Sequence, residues 1–491
     1  MHCVDGVDYS VFSILPPYNN IHAHLIDRSG KLVKSASGVR VTYQAVANPA
    51  TGLINRTSAG KTNFWQFAQK LFGVSLPVDQ GLTGLKMPGS ANSPQPMKFD
   101  SAKYEFVAEG VPITPYPDNP KTPGQKDYYP LLRLTARDSA GKVLATADVV
   151  VPVSDEMACA GCHASATIAA GAMPPKTPLA FNPDPDKDYK LNILALHDDR
   201  HGTALLKSQP VLCAGCHASN ALGTSGVPPA TPLTAALHSV HAKVYDPAAG
   251  LTLGDSSNRA ACYKCHPGSE TKCLRGAMGN AGMECQSCHG GMAMVGASTR
   301  RGWLDEPSCE NCHTGTAIKN SGQIRYVNAL TSANGPLRQP ADRRFAALPG
   351  TLYRLSKGHG NLNCESCHGS THAEYPADGH APDNLQIQRL QGYSGVIAEC
   401  GACHKEIGDS GLTRGPHGLH VIGAKWVGKH GDIAEKSGTG ACKDCHGADL
   451  RGTVLSAALT PRSFSTKWGL KSFAKGDPIG CWSCHNGPDQ D

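Results

Sequence analysis

The sequence predicts two regions of different class. Residues 1–155 read as an N-terminal all-β, sandwich-like domain with one inserted helix, and residues 156–491 as a C-terminal domain of short helices and little regular structure. Three observations predict this. Runs of alternating or β-branched residues fill the first part, and a single amphipathic run interrupts them. Beyond residue 158 the string Cys-x-x-Cys-His occurs nine times, whereas the first 155 residues hold one cysteine, Cys3, and three histidines.

The strand runs are DYSVFSIL (8–15), NIHAHLI (20–26), GVRVTYQAV (38–46), KYEFVAE (103–109) and the long stretch 128–153, with turn residues such as Ser29-Gly30 and Ser139-Ala140-Gly141 between them. NFWQFAQKLFG (63–73) places Phe64, Phe67, Ala68, Leu71 and Phe72 at helical spacing. The Pro-rich segment 112–123 is a loop. In the second part, turn-rich connectors (177–189 and 223–232) separate short helices expected over 191–201, 231–244 and 418–430. Motif spacings run from about 20 to 55 residues, too irregular for a solenoid repeat.

The nine strings are Cys159-Cys162-His163, Cys213-Cys216-His217, Cys262-Cys265-His266, Cys285-Cys288-His289, Cys309-Cys312-His313, Cys364-Cys367-His368, Cys400-Cys403-His404, Cys442-Cys445-His446 and Cys481-Cys484-His485. They use eighteen of the twenty cysteines. A bare C-x-x-C reads as half a zinc site, a redox dithiol or, with His directly after it, a c-type haem attachment. With 22 His in 491 residues, nine consecutive histidines by chance have a probability of about one in a trillion. Zinc ribbons need paired knuckles and no fixed His, and redox dithiols do not come in ninefold arrays. The residues therefore predict nine covalently attached haems c. Two thiols bond the porphyrin's vinyl groups, and the adjacent imidazole becomes the proximal iron ligand. A covalent tether removes the need for a large apolar pocket, so haems can be crowded.

Each iron needs a second axial ligand or stays open. Ten histidines after residue 158 lie outside the motifs. His197, His201, His238, His241, His359, His372, His417, His420 and His430 are expected as distal ligands; His380, in PADGHAPDN, reads as a solvated loop. A residue four positions beyond His368 is badly placed to reach the opposite face of the same porphyrin. His359 and His372 are therefore expected to cap neighbouring haems. The i,i+3 pairs His238/His241 and His417/His420 are each expected to serve two irons from one helical face.

Composition excludes other classes. No uninterrupted apolar stretch of eighteen residues occurs, so no membrane-spanning helix is expected. MHCVDGVDYS has no signal-peptide pattern, and since haem attachment to this motif is an export-side reaction, a mature or truncated chain is expected. Formal charge is +6, but Lys and Arg are scattered without a basic run, so no nucleic acid is expected. Nine ferric haems with ionised propionates bring that charge to about −3. A 333-residue domain has a radius of gyration of about 20 Å. Nine porphyrins inside it lie within electron-tunnelling reach of one another.

The stretches CYKCHPGSETKCLRGAMG, CESCHGSTHAEYP, GPHGLHVIGAKWVGKH and IGCWSCHNGP resemble the large multihaem c-type cytochromes of metal-respiring bacteria, and DYSVFSILPPYNN is similar to that group as well. The resemblance implies stacked, low-potential, bis-His haems conducting electrons in the periplasm, on the outer surface or in extracellular filaments. It implies redox proteins or extracellular acceptors such as metal oxides as partners, and is compatible with a head-to-tail homopolymer. An electron carrier, not an enzyme, is the leading expectation. The alternative is a multihaem reductase of the nitrite, hydroxylamine or tetrathionate type with one open iron; such enzymes often carry Lys in place of the proximal His, and no C-x-x-C-K occurs here.

Two features stand outside the array. Cys3 and Cys273 are left over, with a disulfide as the economical reading and buried free thiols as the alternative. His22 and His24 alternate along a probable strand, so both project from one face. That face is either solvated or meets a haem edge of its own or a neighbouring subunit.

Overall fold

Apolar residues at every second position, Val39, Val41, Tyr43 and Ala45, drive one face of an extended segment into the interior. In the computed structural model, which describes residues 2–167, 179–267, 271, 273–274, 277–318, 328–333, 335–340, 351–372 and 385–488, that segment is a long central strand. In chain order the N-terminal strands are β1 (His2–Cys3), β2 (Phe12–Ser13), β3 (Asn19–Ala23), β4 (Val39–Val46), β5 (Gln95–Pro96), β6 (Lys98–Asp100), β7 (Glu105–Val111), β8 (Leu131–Asp138), β9 (Val143–Val150) and β10 (Val153–Ser154).

Two antiparallel sheets enclose the main core. One has the order β5-β4-β8-β9, the other β3-β7-β6. Val41, Tyr43, Ala108, Phe106, Val111, Leu132 and Leu134 fill the space between them. Truncating fully buried Leu132 to Ala costs about 2–5 kcal/mol. The run 128–153 is therefore a hairpin. At its turn Gly141 takes φ 86°, which Cβ-bearing residues adopt only at a cost. The amphipathic run is helix α1 (Phe64–Phe72), ended by Gly73 in the left-handed conformation. It buries Phe64, Ala68 and Leu71, with Phe64 edge-on to Tyr9 at 5.3 Å.

The first fifteen residues correct the expected layout. The run 8–15 is not a sandwich strand: only Phe12–Ser13 is extended, and it pairs in parallel with Val211–Leu212, next to Cys213. Val11 and Phe12 pack with Tyr189, Leu194 and the partly buried Cys159 and Cys213. Lys190, fully buried, donates to the carbonyls of Asp5 and Asp8 and lies within 6.0 Å of the Tyr9, Phe12 and Tyr189 rings. A buried ammonium needs such partners. The N-terminal segment is thus woven into the second region, a long-range pairing that no local propensity encodes.

In the second region, the helix expected from 191 begins earlier, at Pro185, and runs to His201. Asp184 caps it through Asp186 N (3.0 Å), and Pro stands in the first turn. The helix expected over 231–244 is Leu233–His241. The one expected over 418–430 is displaced to Ala424–Ser437, because Gly418 (φ 78°) and Gly423 (φ 118°) break it. The sequence reading missed a hairpin, Arg462–Thr466 with Gly469–Phe473. Among the described residues no helix is long and apolar enough to cross a membrane. Cys3 and Cys273 are electrostatic neighbours, with the Cys3 thiol pushed up to about 12 by burial and then by Cys273.

Candidate functional site

Every Cys-x-x-Cys-His string makes one turn of helix. In eight of them the His N–H reaches the carbonyl of the first Cys at 2.8–3.1 Å, and the ninth, Cys285–His289, is itself a short α-helix. The i,i+3,i+4 positions share a face on such a turn. Two thiols and one imidazole are thereby presented together, fixed by local hydrogen bonds alone.

The long-range arrangement brings each of eight motif imidazoles against a histidine from elsewhere in the chain. Ring centroids are separated by 6.3 Å in His163/His241, 6.3 Å in His197/His217, 5.9 Å in His238/His266 and 6.2 Å in His289/His372. They are 6.1 Å apart in His359/His404, 5.9 Å in His368/His417, 6.1 Å in His420/His446 and 6.1 Å in His430/His485. Direct packing of two rings would give scattered distances. A metal held between two trans imidazoles at an ordinary bond length of about 2 Å sets the centroids about 6.3 Å apart. The pairs fit that span, and two nitrogens per centre leave the remaining positions to a planar tetradentate ligand such as porphyrin.

The ring nitrogens agree. Nδ1 faces a backbone carbonyl in His217 (Thr231, 2.7 Å), His446 (Ile479, 2.6 Å), His238 (Thr234, 2.8 Å), His241 (Leu237, 2.7 Å), His420 (Val421, 2.8 Å) and His430 (Val427, 3.0 Å). A carbonyl can only accept, so Nδ1 carries the proton and Nε2 keeps its lone pair. His289 differs, with Arg300 Nη2 3.3 Å from its Nδ1. Burial, then the facing histidine, pushes His163, His266, His289 and His368 down to about 4. Neutral imidazole is the ligating form.

The helix Leu233–His241 carries both His238 and His241, which face His266 and His163. His417 and His420 also face two different motif histidines, His368 and His446. They do so from a 3₁₀ turn and the extended residues after it, not from one helical face, and His417 has φ 57°. His359 and His372 face His404 and His289, so the stretch from 359 to 372 touches three pairs.

His201 lies one helical turn beyond His197, exposed, with its ring 4.8 Å from that of His197, which itself faces His217. Among the described residues no motif histidine faces His201. His313 makes its contacts outside these eight pairs and is an electrostatic neighbour of His368. His380 lies outside the described residues.

His22 is exposed and His24 is nearly buried, and both rings bond within the chain. His22 Nδ1 donates to Glu105 (3.2 Å), and His24 Nδ1 donates to the Tyr104 carbonyl (3.1 Å). His24 Nε2 then accepts from the backbone N–H of Asn363, beside Cys364, at 3.2 Å, and its side chain is 5% exposed. Glu105, buried, also accepts from Asn363 Nδ2 at 2.7 Å. These groups weld the sheet to a motif through its backbone.

Cysteines of different motifs are also neighbours. Cys262 meets Cys285 and Cys288 meets Cys312 in direct side-chain contact. Electrostatic contacts join Cys213 to Cys159, Cys159 and Cys162 to Cys265, Cys309 to Cys364, and Cys367 to Cys403. Sequence reasoning missed Trp426, whose ring stacks on His420 at 3.8 Å and 8° and lies 6.0 Å from His430. Its i,i+4 spacing to His430 was the available signal. A cavity of about 580 Å³ lies between Leu134, Ala136 and Ala147 of the sheet and the turn Gly401–Cys403, within the size range of cofactor sites.

Residues 280–457, which contain the five motifs from Cys285 to His446, match the family model described as outer membrane cytochrome MtrC/MtrF-like, domains II/IV. No curated protein and no solved structure matches the chain. Over the matched segment the chain is similar to multihaem cytochromes of the outer-membrane kind found in metal-respiring bacteria. That similarity supports c-type haem binding, electron transfer and an exported, outer-surface setting.

Proposed function

We propose that the chain is a nine-haem c-type cytochrome that conducts electrons through closely spaced bis-histidine haems. The observation that carries the reading is the set of eight histidine pairs at 5.9–6.3 Å, each joining a motif imidazole to one from outside the motifs.

On this reading the cysteines Cys159/Cys162 through Cys481/Cys484 tether the haems, and the nine motif histidines are proximal ligands. His241, His197, His238, His372, His417, His359, His420 and His430 are the distal ligands at His163, His217, His266, His289, His368, His404, His446 and His485. Bound haem supplies a reversible one-electron iron couple. The protein's own residues do the rest: the thiols would tether each haem, the eight histidine pairs would hold the iron and exclude exogenous ligands, and backbone carbonyls hold the Nδ1 protons. The cysteine neighbours order the sites as Cys213, Cys159, Cys262, Cys285, Cys309 and Cys364, with Cys400 also beside Cys364. His417 and His420 join the Cys364 site to the Cys442 site, and Trp426, between His420 and His430, leads on to the Cys481 site.

The finer parts of the proposal are an outer-surface or extracellular location, partners among redox proteins and metal oxides, and head-to-tail polymerisation into a filament. They rest on the partial family match and the resemblance of the motif stretches. Electron microscopy of native protein tests the last, since discrete particles would exclude it. The central reading predicts an intact mass exceeding the polypeptide by nine haems, with every iron low-spin. Fewer haems would break the count of one haem per motif, and carbon monoxide binding by undenatured reduced protein would favour a reductase with an open iron.

A further inference from the structure

A turn of the haem-free domain ends on the ring of a motif histidine. Asp27 Oδ1 accepts from Ser29 N (2.8 Å), Ser29 Oγ (2.7 Å) and Lys31 N (3.0 Å). Gly30 N donates to the Asp27 carbonyl at 3.0 Å, Asp27 N to the Lys31 carbonyl at 2.9 Å, and Ile26 bridges Leu32. These bonds close the turn on itself without help from the rest of the sheet. At its tip the Ser29 carbonyl lies 3.4 Å from Nδ1 of His404, at the long end of hydrogen bonding. Since the carbonyl only accepts, it places the proton on Nδ1 and the lone pair on Nε2.

Gly30 is required twice over. Its φ is 81°, where a side chain is strained, and a Cβ built there would overlap the His404 ring at Nδ1 and Cε1 and stand 2.7 Å from Cγ. The second requirement is not general: Gly38, Gly52, Gly60 and Gly73 have φ of 72–74° in the same region with nothing within 4 Å of such a Cβ. The carbonyls facing Nδ1 of His217 and His446 come from Thr231 and Ile479, inside the haem-bearing region. At His404 the carbonyl comes from the other region.

We propose that the Ser29–Gly30 turn is a positioning element for His404, through which the haem-free domain sets the tautomer and ring plane of one proximal ligand. This rests on the reading of His404 as a haem ligand. A carbonyl on Nδ1 raises the basicity of the coordinating nitrogen and so stabilises the oxidised iron. Losing the contact raises that one potential and leaves the others. Docking of the β domain is thereby coupled to a single site, next to the Cys364 site.

The test compares holoprotein carrying Gly30→Ala and Gly30→Asn with Gly38→Ala, reading haem number by intact mass, spin state and the redox titration curve. Asn tolerates the left-handed backbone yet still carries a Cβ, so it separates overlap with the ring from backbone strain. The expected result is one haem in nine shifted to higher potential or partly high-spin in both Gly30 variants, with Gly38→Ala like wild type. Where Gly30 variants do not fold, Asp27→Ala loosens the turn without adding an atom near the ring and should shift the same single haem with none lost. Low-spin, unshifted titrations in the folded Gly30 variants, or an unshifted Asp27→Ala, would overturn the positioning role. Wild-type protein with fewer than nine haems would instead overturn the haem reading beneath it.

Discussion

The ring of His372 lies 6.2 Å from that of His289 with the planes 9° from parallel, although His372 stands only four residues beyond the motif histidine His368. His368 faces His417 instead, at 5.9 Å. A chain turning back from its own helical turn does not reach the far side of the group that turn holds, so the spare imidazole is delivered to a neighbour. Each such exchange locks two sites at a fixed separation.

Replacing His372 with Ala should therefore open the iron of the Cys285 site and leave the Cys364 site closed. The expected outcome is nine haems by mass, one of them high-spin and binding carbon monoxide when reduced. Two altered haems, or none, would contradict the assigned pair.

Ring planes predict a spectroscopic division. His238/His266, His289/His372 and His420/His446 lie within 12° of parallel, whereas His163/His241, His197/His217, His359/His404 and His368/His417 are 63–85° apart. Parallel imidazoles split the iron's two π-type d orbitals, and perpendicular ones leave them nearly degenerate. Low-temperature paramagnetic resonance of oxidised protein should resolve two classes of low-spin signal, the strongly anisotropic class being at least as abundant. A single class would show that the ring planes differ in the holoprotein.

Asp148 ties the sheet to the helix Leu385–Gln391. It accepts two bonds from Arg133 (2.7 and 3.0 Å) and one from Arg389 (2.7 Å), and the guanidinium of Arg133 first, then that of Arg389, holds its carboxyl below the usual range. A depressed carboxylate contributes stability that is present above its unfolded pKa of about 3.9 and is lost as pH falls through the lower folded value. Melting temperature should drop below about pH 4 in wild type. Asp148→Asn should flatten that drop and cost about 1–3 kcal/mol at neutral pH. Parallel acid limbs in the two proteins would remove Asp148 from the account.

His24→Ala should destabilise the sheet–motif joint by about 1–3 kcal/mol through the unpaired Asn363 N–H, measured by denaturant unfolding. Both nitrogens of His24 are engaged within the chain, so spin states and particle length should match wild type. A change in either would restore the idea that this face bridges subunits.

What sequence alone determined was whatever a few adjacent residues fix. The nine Cys-x-x-Cys-His turns were legible because two thiols and an imidazole at i, i+3 and i+4 share one face of a turn held by its own hydrogen bonds. Helix α1 was legible for the same reason, as were the paired halves of the long hairpin, where period and turn residues are local. The tertiary structure alone decided the partners. Nothing in the spacing of His241 from His163, or of His359 from His404, distinguishes them from His201, which ends beside another histidine. The Ser29 carbonyl on His404 and the Phe12 pairing with Val211 had no sequence signal at all. Such contacts depend on where whole elements pack, and a backbone carbonyl carries no residue identity. Each Cys-x-x-Cys-His turn is therefore written locally, while the histidine that faces it is set by long-range packing.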